Sequence, residues 1–378
     1  MNTSMLKKIG NGLIAPVVAI VISAIVSSLA LIFAGHSPID AIRAMTKYVT
    51  TTDSLVTILN RGAPLYVVAL GLAIGFKMNL FNIGADGQYR LAALIAAAAG
   101  SAMDLPRVIQ ILLIMIIAMA VGGLWGAVPG VLKVTRGVNE VVSTIMLNFV
   151  ATGISAYLLA VYFFNRQVKK TKNVVETNSI PKSGKLPDLN GLLADIGIHL
   201  PRLSHLHGYL PVAMVVGILF YLLVWRTRFG YDLRMSGASA AAARASGVNP
   251  KRMVLTTIIL SGALSGLAAM GFLLTDFPKY DQGFPLGLAL ASGVPVALLG
   301  RNHPAGIAVA AFFWAGIERA SQGLSTVNIP GEITKILQGT LLISSVIAFE
   351  LVRRRNLRNA VKQAAEVTHA VDVEGAPA

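Results

Sequence analysis

Apolar runs of bilayer length alternate with short polar breaks along almost the whole chain. The first runs from Leu13 to Ala34 behind Lys7 and Lys8, long enough to span a membrane and longer than the apolar part of a cleaved leader. Further runs follow at Pro64–Phe76, from there to Met103, at Val108–Leu132, Asn139–Phe164, Tyr209–Trp225, Met253–Thr275, Gly287–Gly300, Pro304–Ile317 and Ile333–Leu351. Gly35–Asn60 is more polar and reads as an outer stretch with an interfacial helix. The pattern predicts an all-α, polytopic membrane bundle of about ten transmembrane helices with both termini in the cytoplasm. In domain terms, residues 1–352 form a transmembrane unit, and 353–378 a basic cytoplasmic tail. Two runs are broken: Gly293 and Pro295 interrupt Gly287–Gly300, and Phe81–Arg90 (FNIGADGQYR) follows Lys77 as a glycine-containing polar interruption. Such breaks are tolerated at membrane depth only where backbone lines a cavity or is buried in protein.

Composition agrees with this reading. The 378 residues are 55% hydrophobic and 13% charged, about half the charge of a soluble chain, and the mean hydropathy is +0.69. The net charge of +15 lies mostly in loops, which points to anionic membrane lipid and to orientation rather than to nucleic acid. Arg166, Lys169, Lys170 and Lys172 lie in the loop 165–208, assigned to the outside, and run against the positive-inside rule. The absence of cysteine excludes disulfides and thiolate metal sites. His199, His205 and His207 share that loop without a recognised metal spacing, so no metal is expected. No P-loop and no nucleophile–base set is present, so neither nucleotide hydrolysis nor another enzymatic activity is expected of this chain, nor any cofactor.

Small residues recur where helices would touch. Gly122, Gly126 and Gly130 form one ladder and Gly262 with Gly266 another, each allowing close approach of a second helix. Polar side chains at membrane depth are Asn82, Asp86 and Gln88 in the first interruption, and Asn139, Glu140 and Asn148 further on. They read either as a polar solute pathway or gate, or as capping and packing groups, since Asp86 and Glu140 sit near helix N-termini. The largest polar break of the C-terminal half, Arg226–Arg252, carries six basic residues against Asp232 and an alanine-rich helix signal. Ser236 is the expected N-cap, Ala238–Ala245 the helix, Gly247 the left-handed terminus and Pro250 the stop. A helix so poor in side-chain bulk can lie in a groove of another protein, which makes Gly237, Ala238, Ala242, Ala243, Arg244 and Gly247 candidates for coupling to a partner. The bland alternative is an ordinary basic loop.

Four motifs, in order, carry a family resemblance over about Arg61–Arg355. FNIGADGQ (81–88) is similar to FNIGAEGQ of the branched-chain amino-acid, ribose and simple-sugar class of bacterial ABC importer permeases. NEVVSTIMLNFVA (139–151) resembles NEVISTIMLNYIA of their nucleoside-type subgroup. GYDLRMSGASAAAARASGVN resembles the coupling loop GYELRAVGxNPxAARYAGI, and VALLGRNHPAGI (296–307) the turn between the eighth and ninth segments. The resemblance implies a ten-helix bundle like that of the vitamin B12 importer, in the inner (plasma) membrane. It also implies a second homologous permease, a cytoplasmic ABC ATPase and an external solute-binding protein as partners, with a nucleoside or simple sugar as solute. The chain departs from the pattern at Asp86, where Glu is usual, at Ser239–Ala240 in place of Asn-Pro, and by lacking the aspartate before VALLG. The competing reading is a proton- or sodium-coupled secondary transporter titrating Asp86 and Glu140.

Overall fold

The computed structural model describes residues 18, 20–165, 174–201, 204–281 and 283–344, with positions 347, 348, 351 and 354. Lys7, Lys8, the basic residues 166–172 and the tail 355–378 lie outside the described residues. In chain order the helices are α1 Ile20–Phe33, α2 Pro38–Val49, α3 Thr52–Phe76, α4 Ala85–Ser101, α5 Arg107–Arg136 and α6 Glu140–Leu158, which runs into a π turn at Leu159–Phe163. There follow α7 Asn190–Asp195, α8 Tyr209–Arg226, α9 Arg228–Ala238, α10 Ala240–Ala245 and α11 Pro250–Leu273. A π turn at Leu288–Gly293 leads into α12 Val294–Leu299; then come α13 Pro304–Ser321 and α14 Ile333–Ser344. No β-strand forms among the described residues, only an isolated bridge between Asp188 and His207.

Five helices are long and apolar enough to cross a membrane: α3, α5, α6 with its π turn, α8 and α11. The pair α1 and α2, bent by 118°, makes a sixth if it is one broken span. The chain is thus an all-helical, multi-pass membrane protein. Residues divide into two compact units, Met1–Lys47 with Ala320–Ala378, and Tyr48–Arg319. In the first, Leu31 and Ala41 pack with Leu324 and Ile329, and Ser23 Oγ donates to the Leu337 carbonyl at 2.8 Å.

The larger unit is built around α11, which packs against α5, α3 and α4. The two glycine ladders meet each other here. A Cβ on Gly122 would run into the Gly262 carbonyl, and one on Gly266 into the Ala118 carbonyl, so the α5 and α11 backbones touch. Helix α3 starts at Thr51, whose side chain accepts from Ser54 N, and carries Pro64 inside it. The span therefore begins twelve residues before the expected start at Pro64, and what read as the end of an outer stretch is its first three turns. Among the described residues, parts of the loop 165–208 are tied to the bundle by backbone bonds, while residues 191–199 stay largely exposed. Thr177 N donates to Tyr280 O at 2.9 Å, Ile180 N to Pro278 O at 2.7 Å and Leu186 N to Leu274 O at 2.9 Å.

Candidate functional site

The first interruption is a buried polar knot. Asn82, Gln88 and Ser261 meet beside Gly262, halfway along α11. Asn82 Nδ2 donates to Gln88 Oε1 at 2.8 Å and to Ser261 Oγ at 2.9 Å, and Gln88 Nε2 returns a bond to Asn82 Oδ1 at 3.1 Å. Both amides are buried. The slot that holds Gln88 exists because its walls lack side chains: a Cβ on Gly126 would lie 3.2 Å from Gln88 Nε2 and one on Gly262 3.3 Å from its Cδ. Asn148 reaches in from α6, donating to Ile83 O at 2.8 Å and accepting from Gly87 N at 2.9 Å. It thereby caps the first turn of α4, and the absence of a Cβ at Gly87 makes room for it. Asp86 points the other way and accepts from Ala289 N at 3.1 Å, tying the start of α4 to the broken segment.

Asn139 and Glu140 are not part of this knot. Asn139 is the N-cap of α6, accepting from Val141 N at 2.8 Å and Val142 N at 3.4 Å, and Glu140 pairs with Lys133 at 2.5 Å. Of the predicted polar residues, the structure brings Asn82, Asp86, Gln88 and Asn148 together and leaves the other two at the α5–α6 turn.

A cavity of about 580 Å³ lies above the broken segment. Its floor is Gly287, Leu288, Ala291 and Ser292, with Glu318 beside it. Glu318 Oε1 accepts from Ser292 Oγ at 2.9 Å and from Trp314 Nε1 at 3.1 Å, while Arg319 turns to Asp53 at 2.5 Å. Phe272 and Phe277 supply one wall, their ring centroids 6.4 Å apart. The rim is polar. Asn60 donates to His205 O at 2.7 Å and accepts from His207 N at 2.9 Å; Ser204 Oγ bonds Asp53 at 3.0 Å; His207 Nε2 lies 3.2 Å from Asp276. None of these lining residues was singled out from sequence as a pathway residue. Asp53 and Asn60 belonged to the stretch taken as an outer loop, and only the break at Gly287–Gly300 pointed here.

At the opposite end lies the basic loop. Ser236 is buried inside α9 and is not the N-cap; Ser239 is, with extended backbone and its Oγ accepting from Ala242 N at 3.2 Å. The break at Ser239 splits the alanine run, so Ala238 ends α9 and only Ala240–Ala245 form α10. Gly247 is left-handed at φ +82°, where a side chain would be strained. Pro250 forbids extension of α10 and is itself the first residue of α11, with Asn249 Oδ1 accepting from Arg252 N at 3.2 Å. Gly237 is pressed against the Lys77 carbonyl, and its own carbonyl accepts from Asn79 Nδ2 at 2.8 Å. Ala243 faces the chain's own interior and is fully buried. The exposed candidates are therefore Ala238, Ala242, Arg244 and Gly247, whereas Gly237 and Ala243 seat the loop.

Residues 54–346 match the family model described as branched-chain amino acid transport system, permease component. The chain belongs to this family of ABC transporter permeases. The permease is 28% identical over 341 residues to a glucose ABC transporter permease protein of Haloferax volcanii, covering 90% of this chain and 88% of the relative. It is 27% identical over 342 residues to a nucleoside ABC transporter permease protein of Lactococcus lactis, covering 89% and 91%. A guanosine ABC transporter permease protein of Bacillus subtilis is 28% identical over 348 residues, covering 90% and 94%. No solved structure matches the permease.

Proposed function

We propose that this permease is the membrane subunit of an ATP-driven importer of nucleosides, with monosaccharides as the competing solute class. The observation that carries the reading is the cavity over the broken segment. Its volume is in the range of small-molecule sites, its Phe272–Phe277 wall suits the face of a nucleobase, and the Asn60, Asp276 and Glu318 polar groups suit ribose hydroxyls. Relatives named for nucleosides or guanosine support the solute class; the relative named for glucose is the reason a sugar competes.

In this reading residues 1–352 are the transmembrane domain in a plasma-membrane subunit of ten spans, of the vitamin B12 importer type. The loop 226–252 lies in the cytoplasm and presents Ala238, Ala242, Arg244 and Gly247 to a separate ABC ATPase. The loop 165–208 lies outside, where a solute-binding protein delivers its load, and a second homologous permease completes the pathway. Asn82, Gln88 and Asn148 hold the start of α4 rather than touch solute, and Asp86 holds the cavity floor. Ion-coupled transport through Asp86 and Glu140 is the weaker reading, because the first already accepts from Ala289 N and the second is paired with Lys133.

Uptake of radiolabelled guanosine, uridine and glucose into cells with and without the chain tests the proposal. Saturable nucleoside uptake that stops on ATP depletion and survives a protonophore is expected. Uptake driven by a proton gradient in vesicles lacking any ATPase would overturn it, and glucose uptake without nucleoside uptake would reassign the solute.

A further inference from the structure

Two independent features meet beside the turn Gly300–His303, which the importer reading leaves unused. The first is a gathering of basic side chains with no carboxylate paired to them among the described residues. Lys77, just past α3, places Nζ 5.1 Å from the centre of the Trp225 ring. His303, just before α13, meets the same ring edge-on at 5.1 Å, and Tyr221 stacks on it at 5.6 Å. Burial and the Arg234 charge hold the Lys77 pKa below its ordinary value; burial and Lys77 do the same to His303. These groups disfavour one another's charge, yet neither Lys77 nor His303 has a carboxylate partner among the described residues. The Arg234 guanidinium is engaged by the Val224 carbonyl.

The second feature is a trench of about 660 Å³ with almost wholly apolar walls, bounded by α3, α8 and α13. It opens at Tyr221 and His303 and runs away from that end toward Leu210 and Phe312, about 16 Å along α8 by helical rise. Ala213, Gly217 and Ala308 keep it open. Its mouth carries donors. His303 Nδ1 accepts from Ala305 N at 3.3 Å, which leaves Nε2 to bear the ring proton. The first turn of the 18-residue α13 begins at the same place and favours negative charge.

We propose that this trench and its cationic mouth bind one anionic phospholipid, an acyl chain lying between α8 and α13 and the phosphate between Lys77 Nζ and His303 Nε2. The charge decides the class of lipid. A choline or ethanolamine headgroup would bring a further cation to a place already crowded with them, whereas a phosphatidylglycerol phosphate relieves the crowding. The site does not depend on the solute reading, since it shares no lining residue with the outer cavity.

The test is lipid retention by the full-length chain extracted in mild detergent, read by native mass spectrometry after incubation with phosphatidylglycerol, phosphatidylcholine or inorganic phosphate. The wild-type chain should keep phosphatidylglycerol over phosphatidylcholine by about fivefold, for the one cation engaged, Lys77. Lys77→Gln with His303→Gln should abolish that preference. Ala308→Trp, which fills the trench and leaves Lys77 and His303 in place, should lower retention of both lipids. Equal retention of the two lipids by the wild type, or unchanged retention in both variants, overturns the proposal. Protection from heat by inorganic phosphate equal to that by lipid would make the mouth a free-phosphate site and overturn the lipid assignment. A dimer lost on Ala308→Trp would make the trench a protein interface and overturn it likewise.

Discussion

Replacing Asn82 by leucine tests whether the polar knot is a strut. The substitution removes three hydrogen bonds at once: two to Gln88 and one to Ser261. In membrane bundles such bonds average only about 0.6 kcal/mol, because a released group finds another partner. Gln88 has no such freedom. It is buried, and Gly126 and Gly262 bring helix backbone against its carboxamide, so the group cannot swing away. The cost of an orphaned buried group then applies, about 1–3 kcal/mol for each of the amide's two ends. Asn82→Leu should therefore cost about 2–6 kcal/mol, and Gln88→Leu, which leaves Asn82 its bond to Ser261 and orphans only Oδ1, about 1–3 kcal/mol. The double variant leaves no unpaired amide in the slot. It should cost less than the sum of the singles by at least about 1.5 kcal/mol, well above the about 0.5 kcal/mol scatter of independent sites. Thermal unfolding of the detergent-purified chain measures all three, with solute uptake alongside. Additive costs within that scatter would show that the amides do not hold each other and would sink the strut. Normal stability with lost uptake in Asn82→Leu would instead return Asn82 to the solute pathway.

At the coupling loop, Ala242→Glu should leave the yield of folded chain unchanged, since glutamate is close to alanine in helix propensity, and should abolish co-purification of the ATPase. Ala243→Glu should lower the yield itself, because it drives a charge into a fully buried position at a cost of several kcal/mol; co-purification at wild-type level with Ala242→Glu would make this an ordinary basic loop. Gly262→Leu should prevent stable insertion, as the new side chain collides with the Gly122 carbonyl, and a wild-type melting profile would show that α5 and α11 are not in backbone contact. His303 carries a pKa lowered from 6.5 by burial and by Lys77. Between 6.5 and the lower folded value the unfolded chain binds more protons, so stability falls as pH drops through that window; His303→Gln should flatten this part of the melting-temperature profile, and an unchanged slope would refute the assignment. Phe272→Ala together with Phe277→Ala should raise the KM for nucleoside uptake about tenfold by removing the stacking wall, and an unchanged KM in the uptake assay would move the solute elsewhere.

The helices were legible wherever periodicity or glycine spacing had one physical solution. The ladders at Gly122–Gly130 and Gly262–Gly266 were readable as close contacts, and the structure pairs them with each other. The interruption at 81–90 was readable as polar groups that need partners, but not as a knot, because Ser261 and Ala289 approach it from remote parts of the chain. The start of α3 was hidden by the polar face of its first turns, where Asp53, Asn60 and Arg61 face the cavity and its rim rather than lipid. In the alanine run, Ser236 and Ser239 were equally good caps by type. The choice fell to Gly237, whose contact with the Lys77 carbonyl keeps Ser236 inside α9.

The junction between α10 and α11 has a mechanical consequence. Only Ser246–Asn249 separate the two helices; Val248 N is bound back to Ala243 O at 2.9 Å, and Asn249 is fixed as the cap of α11. There is little slack to absorb a displacement of the short helix, and α11 extends about 36 Å from that joint by its helical rise. Backbone contact with α5 along the glycine ladder stops α11 from sliding lengthwise without its neighbour, so tilting is the freer motion. A push on α10 would then swing the far end of α11, where Phe272 forms part of the cavity wall, and the short alanine helix would serve as the near arm of a lever.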